Sequence, residues 1–175
     1  MKFLSDNECA RWCEGHGFPT PREVRSRSGS YEEHRFSIPA DAGHRISLCR
    51  LLWNFGQSST LPERLLWIRG WSVWPSSEHM PLFLKWRHAF GESRNLIEVP
   101  GLLCGHGDDD DGFSAFIISV LFLWDCWMYS RNGVIIELSH DEVGSVYEPP
   151  SDRTLDSRGA LEQFGVLMNR GASGS

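Results

Sequence analysis

The chain has no apolar run long enough to cross a membrane. The longest, residues 113–124, spans 12 residues and includes two serines, against the roughly 20 apolar residues a transmembrane helix needs. Positive charge is in deficit. Lys and Arg number 17 against 23 Asp and Glu, for a formal charge of −6, which excludes electrostatic capture of nucleic acid by clustered Lys and Arg. The opening MKFLSDNEC holds one Lys and two adjacent apolar residues, too little for a secretory signal. Cysteines are five, an odd number without repeated spacing, which predicts reduced thiols rather than a disulfide frame. These absences predict a soluble cytoplasmic protein with no membrane and no nucleic-acid partner.

Catalytic signatures are missing too. Gly105, Gly107 and Gly112 surround aspartates that would repel phosphate, so they form no phosphate-binding loop. There is no His-Glu-x-x-His pair. Cys9, Cys13 and His16, with Cys104 and His106 far along the chain, lack the paired short spacings of a closed zinc site. No cofactor and no metal are expected.

What the chain has is aromatic mass, with eight Trp and ten Phe among 175 residues. Aromatics fill cores and anchor interfaces alike. Hydrophobic content of 41% and charged content of 23% are those of a globular protein. The length suffices for one domain, residues 1–170, followed by a flexible tail, 171–175.

Ser5-Asp6-Asn7-Glu8 is a capping box that starts a short helix. Residues 18–30, with two Pro and several Ser, read as loop, and residues 33–38 as a strand. Asp41 caps an amphipathic helix through Ile46, Cys49, Leu52 and Trp53, and residues 64–71 form a buried strand. Residues 75–78 cap a second amphipathic helix with Met80, Phe83, Leu84 and Phe90 on its core side; residues 95–104 are irregular or a short edge strand. Residues 113–123 are apolar all round, so periodicity leaves helix and strand open; length and an acidic start favour helix. Residues 126–130, 134–138 and 143–147 form an antiparallel meander, its first turn carrying Asn132-Gly133, both tolerant of positive φ. A last helix covers residues 161–168. The predicted fold is α+β: a small antiparallel sheet, the three-strand meander plus one or two earlier strands, with helices packed on one face.

Three groups are candidates for function. Asp108, Asp109, Asp110 and Asp111 read first as a solvated helix start, lacking the alternating order of a calcium loop. His140, Asp141 and Glu142 hold acid–base types, and Cys126 is a conceivable thiol partner for His140, but they fall where a strand becomes a turn. Trp71 and Trp74, with Trp124 and Trp127, are a candidate exposed aromatic patch.

The segments Trp71-Ser72-Val73-Trp74-Pro75-Ser76-Ser77-Glu78, Trp124-Asp125 and Ser139-His140-Asp141-Glu142 resemble a pattern in uncharacterised bacterial proteins of this size. The small acidic α+β plan resembles the immunity proteins that neutralise polymorphic toxins. That resemblance implies a non-enzymatic inhibitor that grips a basic toxin through Asp108–Asp111 or Asp141–Glu142, with an aromatic anchor nearby. A small hydrolase or nuclease-like enzyme built on His140, and a structural subunit of a bacterial or phage-defence assembly, are the alternatives.

Overall fold

The computed structural model describes residues 1–26, 30–55, 63–71, 80–150 and 156–168. Within them, seven strands form one sheet: β1 (Lys2–Leu4), β2 (Glu32–Ser37), β3 (Arg64–Gly70), β4 (Gly101–Cys104), β5 (Asp125–Ser130), β6 (Ile135–Leu138) and β7 (Val143–Glu148). Their order is β1-β4-β3-β5-β6-β7-β2, and every neighbouring pair is antiparallel. Six helices accompany them: α1 (Asp6–Gly15), α2 (Pro21–Ser26), α3 (Ala42–Phe55), α4 (Met80–Ala89), α5 (Asp109–Leu121) and α6 (Ser157–Phe164). The class is α+β, and none of these helices is long and apolar enough to cross a membrane.

The sheet is larger than expected and is covered on both faces. The reason lies in the central strands, whose side chains are buried in both directions of the pleat. Leu66, Ile68, Met128, Ile136 and Val146 face a core with Leu48 and Leu52 of α3, Phe83 of α4, Phe116 of α5 and Leu161 of α6. Alternating with them, Leu65, Trp67, Trp127, Tyr129, Ile135 and Tyr147 face a second core closed by Cys9 and Cys13 of α1 and Val24 of α2.

Residues 113–123 lie in helix: α5 buries Gly112, Ala115, Phe116, Ser119 and Val120, one stripe at helical spacing. The first capping box forms, Glu8 N–H donating to Ser5 Oγ and Ser5 N–H to Glu8 Oε2. Within the supposed loop, α2 begins where Glu23 Oε2 accepts both the Thr20 N–H at 2.8 Å and the Thr20 hydroxyl at 2.9 Å. β4 is no edge strand, because β1 pairs along its outer side. The meander stands, but its first turn differs in kind. Only Gly133 takes a positive φ, of 97°. Asn132 instead accepts the Val134 amide and donates its own amide to the Phe55 carbonyl at the end of α3. The expected cap at residues 75–78 and the tail at 171–175 lie outside the described residues.

Candidate functional site

The β6–β7 turn places Ser139, His140, Asp141 and Glu142 at one end of the sheet. Ser139 N–H donates to the Val143 carbonyl at 2.9 Å, and Glu142 takes a φ of 62°, an uncommon left-handed value for a residue with a side chain. Asp125, at the start of β5, accepts the His140 backbone N–H at 2.8 Å and lies 2.9 Å from its ring Nδ1 through the same oxygen. The other ring nitrogen is 3.5 Å from Asp141. Gly70 makes room for the Asp125 carboxylate, since a β-carbon there would come within 2.6 Å of it.

Arg45 of α3 ties the corner together. It donates to the Pro39 carbonyl at 2.6 Å, to the Leu121 carbonyl at the end of α5 at 2.9 Å, and to Glu142 at 3.4 Å. Beside it, Asp41 caps α3 by accepting the His44 amide at 2.9 Å, and its other oxygen meets the His44 ring. The corner thus presents Asp41, Asp125, Asp141 and Glu142 among Arg45, His44 and His140, with Asp141 and Glu142 the side chains most open to solvent on the turn.

The hydrogen bond to Asp125, then the charges of Asp125 and Asp141, raise the His140 pKa above its ordinary 6.5. A raised folded-state pKa adds stability that is complete below the unfolded value and is lost as pH rises through the folded one. Urea unfolding of the native chain and of His140→Gln will therefore differ most below pH 6.5, and the gap will narrow as pH rises above it. A gap that does not change with pH contradicts the pairing.

The structure separates Cys126 from His140. Cys126 is fully buried in the core beneath α5, and burial pushes its thiol up to about 12. The conceivable thiol–base pair is not assembled, because alternation along β5 turns Cys126 into the core. The five cysteines are all buried and unpaired. Burial raises all five thiols, those of Cys13, Cys49 and Cys104 also to about 12. A thiol reagent at about pH 8 is expected to label none of them rapidly in the folded chain and all of them in guanidinium. Cys9 and Cys13 lie in the α1 core, while His16 turns its ring to the Trp12 carbonyl. Among the described residues no three His, Cys, Asp or Glu side chains converge as metal ligands.

The four aspartates divide by role. Asp108 pairs with the Met1 ammonium at 2.6 Å and accepts the Gly105 amide, and these bonds lower its pKa. Asp109 accepts the Trp53 indole N–H at 3.1 Å and meets Arg64, whose guanidinium lies over the Trp53 ring. Asp110 is exposed and Asp111 half-buried on the first turn of α5. Asp109→Ala is expected to lower stability by about 1–2 kcal/mol, since Arg64 is buried while the carboxylate is half exposed. Asp110→Ala is expected to stay within about 0.5 kcal/mol. Equal denaturation midpoints for the two variants would contradict this division. This run and the β6–β7 turn are not brought together: the aspartates begin α5, and the turn meets its far end through Arg45.

The candidate aromatic patch is not assembled among the described residues. Trp127 is 2% exposed, stacked between Tyr129 and Tyr147, and Trp124 is fully buried on the opposite face. Trp71 is half-buried, and Trp74 lies outside the described residues. Trp127 lies on a strand with both faces covered by helices, and Trp124 is enclosed in the link between α5 and β5.

Two surface features escaped the sequence reading. A groove of about 850 Å³ runs between α1 and α2, past Ala10, Arg11, Glu14, Phe18 and Thr20. Leu82, Phe90 and Ile97 are exposed by 56%, 40% and 76%. The i, i+4 spacing of Leu82, Trp86 and Phe90 was the available signal, masked by the assignment of Phe90 to the core. No family model, no curated protein and no solved structure matches this chain.

Proposed function

We propose that the chain acts by binding another protein, in the manner of an immunity protein that inhibits a basic toxin. The observation that carries this reading is the carboxylate corner, where Asp41, Asp125, Asp141 and Glu142 are held at the surface by Arg45, His44 and His140. Carboxylates already fixed in place lose little freedom on meeting a basic surface, and their charge speeds the encounter and selects the partner. Of the earlier candidates, Asp110 and Asp111 are available for the same chemistry at the other end of α5, while Asp108, Asp109 and Trp127 serve the fold.

Affinity capture of the intact chain from its native lysate should return one stoichiometric basic partner. Replacing Asp141 and Glu142 together by Asn and Gln should weaken that complex about tenfold or more while the native fold is kept. Capture of no stoichiometric partner, or of one indifferent to the double replacement, sinks the reading.

A second reading rests on the Asp125–His140 pair, since a carboxylate that orients an imidazole also suits acid–base chemistry. It requires a hydrolytic or nuclease activity that His140→Gln removes without unfolding the chain.

A further inference from the structure

The outer flank of α4 contrasts with both cores. Phe83 and Arg87, one turn apart, hold the helix down: Phe83 meets Trp124 edge-on at 5.1 Å, and Arg87 lies over Phe3 and donates to the Val99 carbonyl at 3.1 Å. The neighbouring row, Leu82, Trp86 and Phe90, faces outward at i, i+4 and i+8. Trp86 sits in the middle, half-buried against Phe3 and Phe83 and with its ring 4.9 Å from that of Phe90. Among the described residues four large hydrophobics are exposed, and three of them, Leu82, Phe90 and Ile97, belong to this helix and the segment after it.

Charge decides what covers the row. Helix α4 contains no Asp or Glu, and its exposed polar residues are Lys85 and His88, in a chain whose net charge is −6. Two copies packed α4 against α4 about a two-fold axis would set Lys85 near its own counterpart with no carboxylate on either helix to offset it. A lipid surface is poorly served, because Trp86 is half-buried against Phe3 and Phe83 and is not free to insert.

We infer that the Leu82–Trp86–Phe90 row docks an acidic amphipathic helix of a partner protein. The apolar face of that helix lies along the row and its carboxylates meet Lys85 and His88, as one helix packs on another. This surface is independent of the carboxylate corner and selects the opposite charge.

The test uses the intact chain and two synthetic amphipathic helices with the same leucine face, one flanked by glutamates and one by lysines. Amide chemical shifts are followed as each peptide is added. The glutamate peptide should bind about tenfold or more tightly than the lysine peptide, with shifts confined to residues 80–99. Phe90→Ser should abolish binding, and Lys85→Glu should reverse the preference; both positions are exposed, and a native spectrum for each variant confirms its fold. Equal binding of the two peptides, or shifts centred elsewhere, overturns the inference. So does dimerisation of the free chain through this row, or its uptake by phosphatidylglycerol vesicles with Phe90 as the anchor.

Discussion

Replacing Trp124 by alanine is expected to lower stability by about 3–5 kcal/mol, the range for deleting a fully buried aromatic. The side chain has no exposed surface and lies where three elements meet. Helix α5 ends just before it, with the Trp124 N–H donating to the Ser119 carbonyl at 2.9 Å; β5 begins just after it; and Phe83 of α4 meets its ring edge-on. The cavity cannot collapse without moving α4, whose hold on the sheet runs through Phe83 and Arg87. Hydrogen exchange should therefore show α4 amides losing protection first, because local opening follows the fewest remaining buried contacts. A midpoint shift worth under about 1 kcal/mol would show that the three elements close over the gap.

Gly101→Val is expected to cost about 3 kcal/mol, at the upper end for overpacking. Gly101 pairs with Leu4 on one side and Trp67 on the other. A β-carbon here would be driven into the Cys9 sulfur and would stand 3.1 Å from both the β-carbon and the carbonyl oxygen of Leu4. Helix α1 cannot swing aside freely, because Asp6 at its start accepts the Trp67 indole N–H at 2.7 Å and an Arg69 N–H at 3.2 Å. Cys9→Ala removes the nearest obstacle, so the double variant should be less destabilised than the sum of its parts by about 1 kcal/mol. Additivity within about 0.5 kcal/mol would place the strain on the Leu4 backbone instead.

Much of the fold was legible because it is local. The Ser5–Glu8 box, Asp41 as a cap and the strands of the meander each follow from adjacent residues whose own chemistry decides the backbone. The boundary of α6 was missed by four residues although its signals were present: Asp156 accepts the Gly159 amide at the start, and Gly165 leaves the helix with φ of 82°. The Thr20-x-x-Glu23 pattern at the start of α2 is likewise present in the sequence, where the neighbouring prolines and serines outweigh it. What no window could supply is long-range pairing. Lys2–Leu4 is a strand only because Gly101–Cys104 lies beside it, and three residues carry no period of their own. The site suffered the same way. Asp125 lies just outside the strand legible in the sequence, yet it orients His140 from fifteen residues away, and Arg45 meets Glu142 across ninety-seven. The aromatic patch failed for a related reason, since alternation tells which residues share a face but not whether a helix covers it.

The two borders of the sheet are finished differently. β1 ends its side after three residues. On the other side, β2 is six residues long and its backbone is met by the segment beyond α6: the Ser37 N–H donates to the Val166 carbonyl, the Met168 N–H to the Arg35 carbonyl, and Phe36 bridges Leu167. Residues 166–168 therefore shield β2 from other chains. A chain truncated before α6 would keep every strand yet offer β2 as a bare template for a second molecule, and its failure would be concentration-dependent self-association rather than simple unfolding.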